Sequence, residues 1–186
     1  MSKICFETRL LEINEWRIIH VPNDKSLNLP TRGMTLVNGT INHTINHTTF
    51  QVELEPDGNG SHWFRLSDDL IQSTHLSVGD LVSVCIEPLQ TWFEPLMPQD
   101  FDEALKMANL SEVWQSLTVK ARWEWVRWIR FTGNPKTRQN RIEVTCSKLE
   151  AGKKRPCCFD LTRCTETAVS KSGVLNHSNS ESDDYL

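Results

Sequence analysis

Basic side chains are concentrated in one stretch of this 186-residue chain, and their spacing predicts binding chemistry. Residues 120–155 contain eleven Lys and Arg against three Asp and Glu, within a chain of net charge −4. Such a block can bind an anionic partner, although a solvated helix face carries the same pattern. The candidate anion- or partner-binding residues are Lys136, Arg138, Arg141, Lys148, Lys153, Lys154 and Arg155.

The basic residues follow the period of a helix. Arg138, Arg141 and Lys148 fall near one stripe, and Ile142 and Leu149 lie opposite it, so the helix can bury one face and expose the other. One exposed positive patch is therefore predicted, formed by Arg138, Arg141, Lys153, Lys154 and Arg155. Alternatively, a helix-turn-helix would bring Arg138 and Gln139 to base edges in DNA.

Tryptophans precede the basic helix. Trp123, Trp125 and Trp128 lie within six positions, and Trp beside Arg can stack on bases or hold a cationic ligand. The spacing of Trp125, Trp128 and Ile129 also fits a buried stripe. We expect the indoles to point inward and the guanidinium groups to face water.

A second candidate site lies in the first half of the chain. Trp16, His20 and Trp63 fall in strand-like segments and could line a small-molecule pocket inside a barrel. The alternative for His20 is a hydrogen-bonded histidine on a strand.

Known catalytic and cofactor motifs are absent from the sequence: no nucleophile elbow, P-loop, dinucleotide fingerprint or zinc-protease helix occurs. We therefore expect a protein that is not an enzyme and needs no cofactor. Cys157, Cys158 and Cys164 lack the two paired spacings of a zinc site, so no metal site is predicted. Neither is one predicted at His43 and His47.

Several features predict a cytoplasmic protein that does not insert into membranes. No secretory signal begins the chain, and no apolar run approaches the roughly 20 residues that span a bilayer. The six cysteines are then expected to be reduced, with Cys5 and Cys85 packing as small hydrophobic residues.

The two halves of the chain differ in periodicity. Period-two alternation predicts short strands within residues 4–10, 16–21, 36–41, 50–54, 62–66 and 81–86. Helical spacing predicts helices over residues 99–108 and on both sides of Gly133-Asn134, where Gly133 suits a C′ position of positive φ and Asn134-Pro135 an N-cap. Glu124 and Arg127 are expected to pair on the outer helix face.

Two further segments stand out. Ile-Asn-His-Thr occurs twice in succession over residues 41–48, which predicts a lengthened hairpin. Residues 165–186 lose all periodicity and end in a polar, acidic run, which predicts a disordered tail.

Specific segments resemble two known domain families. The first half resembles a small barrel domain of unknown function, and the second resembles the YdeI/OmpD-associated, bacteriocin-protection family. The matching segments are 16–22, 37–42, 60–63 and 78–82, then 117–118, 121–129, 135–142 and 148–158. The resemblance implies an α+β protein with a double-split β-barrel-like domain over 1–96 and a helical domain with an αα-hairpin over 97–164.

The function implied is bacterial and non-enzymatic: a bacteriocin- or stress-protection factor that binds a partner through the basic hairpin. Two alternatives stay open, a nucleic-acid-binding regulator with an AbrB-like barrel and a small-molecule-binding barrel. The expected partner is a protein, another anionic molecule or nucleic acid. The acidic first half of the chain argues against binding of a phosphate backbone by the barrel.

Overall fold

The predicted strands form and pair into one antiparallel sheet in the computed structural model, which describes residues 3–43 and 46–176. The strands are β1 (Ile4–Arg9), β2 (Leu11–Ile13), β3 (Trp16–His20), β4 (Thr35–His43), β5 (Asn46–Pro56), β6 (His62–Arg65) and β7 (Leu81–Pro88). Their order across the sheet is β1-β7-β4-β5-β6-β3-β2. The sheet curls into a half-barrel, so the predicted barrel-like α+β class is confirmed.

Alternate residues of the strands fill the barrel core. On β1, Ile4 and Phe6 are buried while their neighbours are exposed, as a half-buried strand requires. Gly39 on β4 faces Phe50 on β5, and a Cβ at Gly39 would overlap the Phe50 ring. The aromatic ring thus covers a glycine, and it stacks on Phe64 with ring centroids 5.5 Å apart.

The longest strand pair carries the repeated Ile-Asn-His-Thr segment. The register of β4 and β5 sets Ile41 opposite Thr48 and Asn42 opposite His47, so the described residues of the first copy lie on β4 and those of the second on β5. The strand pairing that the predicted hairpin requires is present, and the lengthening by the duplication stays a prediction. Residues 44 and 45, which join them, and the side chains of His43 and His47 lie outside the described part of the chain.

Cys5 and Cys85 form a disulfide bond across β1 and β7. They lie directly opposite each other with Cα atoms 4.1 Å apart, close to the roughly 4.5 Å of a non-hydrogen-bonded antiparallel pair. The prediction that both are reduced thiols is therefore wrong. Strand register brings together residues 80 positions apart, which local spacing does not reveal. The bond also weighs against the predicted cytoplasmic location, because disulfides persist mainly in oxidising compartments.

Buried His62 fastens the segment around helix α1 (Asn23–Ser26) to the sheet. Its Nδ1 lies 2.7 Å from Ser26 Oγ, and its Nε2 lies 2.9 Å from the Gly33 carbonyl oxygen. These partners assign the tautomer: Nε2–H donates to the carbonyl and Nδ1 accepts from the hydroxyl. Burial lowers the pKa of His62, so the neutral ring is the form that the fold stabilises.

The second half of the chain is helical, as predicted. The helices after α1 are α2 (Asp68–Thr74), α3 (Gln99–Met107), α4 (Ser111–Ser116), α5 (Val119–Arg130) and α6 (Pro135–Glu150). Phe101, Trp114, Trp125 and Ile129 anchor the core of α3 to α6. In the described ranges, every helix is too short or too polar to cross a bilayer.

A short β-hairpin, β8 (Ser170–Lys171) and β9 (Val174–Leu175), follows the helices. The Leu175 amide donates to the Asp57 carbonyl at 2.8 Å. Contacts group residues 162–164 and 168–176 with the sheet, whose unit otherwise runs to Gln90. Residues 91–161 and 165–167 form the second unit. The predicted disordered tail is wrong over 165–176, and residues 177–186 lie outside the described residues.

Replacing His62 by Phe should destabilise the fold by about 1–3 kcal/mol at neutral pH, because Ser26 Oγ and the Gly33 carbonyl lose their partner. The folded-state pKa of His62 is lowered, so the unfolded chain takes up the proton more readily. The advantage of the wild type is therefore complete above about pH 6.5 and shrinks as the pH falls below that value.

Urea unfolding of both proteins between about pH 5 and pH 8 measures this difference, and the other histidines cancel in the comparison. If the difference in unfolding free energy between the two proteins were constant with pH, protonation of His62 would not be linked to stability.

The disulfide predicts a thiol count. The protein purified without reductant and then unfolded should titrate four thiols of its six cysteines. A Cys5→Ser/Cys85→Ser variant should lose about 2–5 kcal/mol of stability. Cys146→Ser is the matched control and should lower the thiol count by one. Six titrating thiols in the wild type would contradict the bond.

Candidate functional site

The basic block folds as the predicted αα-hairpin of α5 and α6. Thr118 Oγ1 accepts from the Ala121 amide to cap α5, and Asn134 Oδ1 accepts from the Thr137 amide to cap α6. Gly133 does not have the predicted positive φ. Because α5 already ends at Arg130, a C′ glycine in the left-handed region is not needed there.

The indoles point inward, as predicted. Trp123 and Trp125 are buried and Trp128 is half-buried. Each buried indole N–H also finds a carbonyl acceptor: Trp125 Nε1 donates to Lys154 at 3.0 Å, and Trp123 Nε1 donates to Phe93 at 2.8 Å. The Trp125 bond fixes the backbone of the basic segment that follows α6.

The arginines do not form the predicted patch. Arg138 donates two hydrogen bonds to Asp100, at 2.7 and 2.8 Å, and this pairing lowers the pKa of the Asp100 carboxyl. Arg155 Nε lies 3.4 Å from Glu124 Oε2. Arg141 donates to two main-chain carbonyls, of Trp128 and Phe131. The expectation of one free positive patch is therefore wrong for these three arginines.

Helix α5 buries charged residues that the sequence did not single out. Arg122 pairs with Glu94 and donates to the carbonyls of Trp114, Gln115 and Leu117. A buried guanidinium with this many acceptors is neutralised and satisfied inside the helical unit. The sequence signal was available: Arg122 lies three residues before Trp125 and seven before Ile129, on one helical stripe with them.

Glu124 is also buried, so the predicted pairing with Arg127 on the outer face is wrong. Burial raises the pKa of the Glu124 carboxyl, although Arg155, Lys120 and Arg127 act against the shift. Its Oε2 pairs with Arg155, while its Oε1 has no hydrogen-bond partner among the described residues. Arg127 is 1% exposed, and its guanidinium lies 5.5 Å from the centre of the Phe159 ring. These side chains hold residues 155–161 against α5.

Three lysines remain available at the end of the hairpin, and we call Lys148, Lys153 and Lys154 the lysine platform. All three are exposed, and within the described ranges none forms an ion pair with a carboxylate. Lys136 is exposed too, but it lies about 18 Å from Lys148 along α6 at about 1.5 Å per residue. The structure thus separates Lys136 from the other exposed lysines of the predicted binding set.

The backbone of the lysine platform is fixed by the end of α6. Gly152 has a φ of +74°, and its amide donates to the Leu149 carbonyl at 2.9 Å. The Lys153 amide donates to the Lys148 carbonyl at 2.9 Å. These two bonds form a Schellman motif, in which Gly152 closes the helix. The motif brings Lys153 back toward Lys148.

Two exposed thiols lie just beyond the lysine platform, with Cys157 Sγ and Cys158 Sγ 3.2 Å apart. Cys164 is buried in an apolar cluster of the sheet unit. Among the residues that the structure describes, no group of three or more His, Cys, Asp or Glu has the arrangement of a metal site.

The residues predicted to line a barrel pocket are packed together. Trp63 is 1% exposed, its ring lies 6.4 Å from that of half-buried Trp16, and its Nε1 has no acceptor among the described residues. Both rings belong to a cluster covered by Val169 and Leu175 of the C-terminal segment. Two described cavities, of about 430 and 510 Å³, are lined by other residues. This packing counts against the pocket hypothesis.

His20 has a buried acidic partner. Its Nε2 lies 3.0 Å from Asp57 Oδ2, and Asp57 Oδ1 accepts from the amides of Asn59 and Ser61. Burial alone would raise the pKa of Asp57, but these bonds lower it overall. Asp57 therefore works as the anchor of the turn between β5 and β6.

Two family matches cover the elements just described. Residues 6–86 match a domain of unknown function, DUF1905, and residues 94–152 match the family described as bacteriocin-protection, YdeI or OmpD-associated. No curated protein matches the chain. The first match covers the seven-stranded sheet, and the second runs from Glu94, the partner of Arg122, to Gly152 at the close of α6. The chain is therefore similar to DUF1905 over its sheet and to the YdeI/OmpD-associated, bacteriocin-protection family over its helices, as the sequence predicted.

Proposed function

We propose that this is a bacterial protein that acts without catalysis, as a bacteriocin- or stress-protection factor that binds an acidic protein surface through the lysine platform. The family description supplies the process. The observation that carries the binding proposal is the contrast within the basic block: Arg138, Arg141 and Arg155 have partners inside the helical unit, whereas the platform lysines face solvent.

The platform suits a protein partner because its backbone is held in place before binding. The Schellman motif and the bond from Trp125 to Lys154 fix the loop, so little backbone entropy is lost on association. Lysines near a helix C-terminus also gain from the helix dipole, which explains part of their placement without any partner. Glu150 is the one carboxylate between them in the chain, which leaves a net positive surface.

A nucleic-acid partner is the second candidate, and the basic block favours it. Three lysines would contribute a slope of about −2.7 in log affinity against log salt, at about −0.9 per phosphate contact. Three phosphate contacts give only weak electrostatic binding. Arg138, which the helix-turn-helix alternative placed at base edges, is paired with Asp100. We therefore rank duplex DNA below an acidic protein.

A small-molecule-binding barrel ranks third, because the indoles of Trp16 and Trp63 pack on each other and on apolar neighbours. We also propose that the protein is cytoplasmic. The bond between Cys5 and Cys85 weighs against that location, since disulfides persist mainly in oxidising compartments.

Replacing Lys148, Lys153 and Lys154 together by Gln should weaken binding to a fluorescent poly-glutamate peptide about tenfold, because three exposed charge pairs contribute about 0.5 kcal/mol each. The matched control replaces the same residues by Arg and should bind as the wild type does. Fluorescence anisotropy at low salt measures both, with duplex DNA as a parallel probe. Equal binding by the Gln variant and the wild type would reject the platform, and tighter binding to DNA would favour the second candidate.

Arg138→Gln tests whether the originally predicted arginine is structural. It should lower stability by about 0.5–1 kcal/mol, since the pair with Asp100 is partly exposed, and leave peptide binding unchanged. Thermal unfolding and the same anisotropy assay measure the two effects. A loss of peptide binding without a loss of stability would return Arg138 to the binding surface.

A further inference from the structure

Cys157 and Cys158 are adjacent in sequence, yet their thiols converge. Neighbouring side chains point to opposite faces of a strand and diverge around a helix. Here Cys158 has a φ of +59°, in the left-handed region that residues other than glycine seldom adopt. Both side chains are exposed, and their Sγ atoms lie 3.2 Å apart. Backbone conformations of this kind cluster at functional sites.

The separation of the two sulfurs limits what they can hold. Two Zn–S bonds of about 2.3 Å at a tetrahedral angle would set the sulfurs about 3.8 Å apart, and zinc needs further ligands. The described residues offer no third ligand in a suitable cluster. A linear two-coordinate cation would need the sulfurs on opposite sides. A trivalent arsenic centre has bond angles near a right angle and carries its own organic substituent, so it needs only two thiols at a short separation.

We propose that Cys157 and Cys158 form a dithiol site that chelates a trivalent arsenical. In the reaction with an organoarsenic oxide, two As–S bonds form and the As=O bond breaks. The two thiol protons leave with that oxygen as one water molecule. Arsenic stays trivalent and no electrons are transferred, so no oxidant or reductant is required. This site is independent of the lysine platform's proposed partner.

Two neighbouring groups act in opposite directions on the pKa of the Cys158 thiol. The hydrogen bond with Cys157 is the largest cause that raises the pKa of Cys158, whereas Lys148 acts to lower it. The Cys158 thiol therefore holds its proton more firmly than an isolated cysteine does, and the positive charge of Lys148 offsets part of that effect. Cys146, in contrast, is half-buried, and burial raises its thiol pKa.

The full-length protein is treated with one equivalent of phenylarsine oxide, then with excess 2-mercaptoethanol, and intact mass is measured. The wild type should keep one adduct, because two bonds to one protein resist a competing monothiol. Cys157→Ser and Cys158→Ser should each lose it completely, whereas Cys146→Ser, the matched control, should keep it. A dithiol, 2,3-dimercaptopropanol, should remove the adduct from the wild type.

Two outcomes would overturn the assignment. One is loss of the wild-type adduct in monothiol, which would mean attachment through one sulfur. The other is an adduct that persists in Cys157→Ser, which would place the reaction at other cysteines. Both substituted side chains are exposed, and circular dichroism of each variant shows whether the fold is intact.

Discussion

Burial of α5 on nearly all sides is the constraint on which the helical unit depends. Its sequence alternates tryptophan with charged residues, so packing the indoles also takes Arg122, Glu124 and Arg127 out of water. A buried charge is tolerated only with partners, because its hydration is lost on burial. The partners come from both sides of the helix in sequence: Glu94 precedes it and Arg155 follows it. Segments before and after the hairpin are thereby fixed to α5.

This constraint also divides the roles of arginine and lysine. A guanidinium offers five donors in a plane and can satisfy several carbonyls at once, as Arg122 and Arg141 do. An ammonium group is a compact, strongly hydrated charge and stays in solvent. The positive surface is therefore formed by lysines at the end of α6, and a Schellman turn at Gly152 fixes that end. The exposed thiols follow within a few residues, so the reactive and charged groups of the helical unit share one short segment.

In the sheet unit, contacts between residues that are distant in sequence likewise fix separate segments to one another. The disulfide between Cys5 and Cys85 ties β1 to β7, and His62 ties the α1 segment to β6. The hairpin of β8 and β9 covers Trp63, although it follows the helices in sequence. Periodicity did not predict it, because strands of two residues are too short to show alternation. The sequence did not predict the disulfide for a related reason, because only the strand register places its two cysteines directly opposite each other.

The sequence by itself determined the local structure: the strands of the barrel, the cap at Asn134, the hairpin of α5 and α6, and the inward turn of the tryptophans. Backbone dihedrals, capping hydrogen bonds and hydrophobic periodicity act over a few residues, so they can be read from the chain. Only the tertiary structure decided which cations stay in solvent. Whether an arginine faces water depends on the acceptors that a distant segment brings to it, such as Asp100 for Arg138. Tertiary packing therefore decides which basic side chains are exposed.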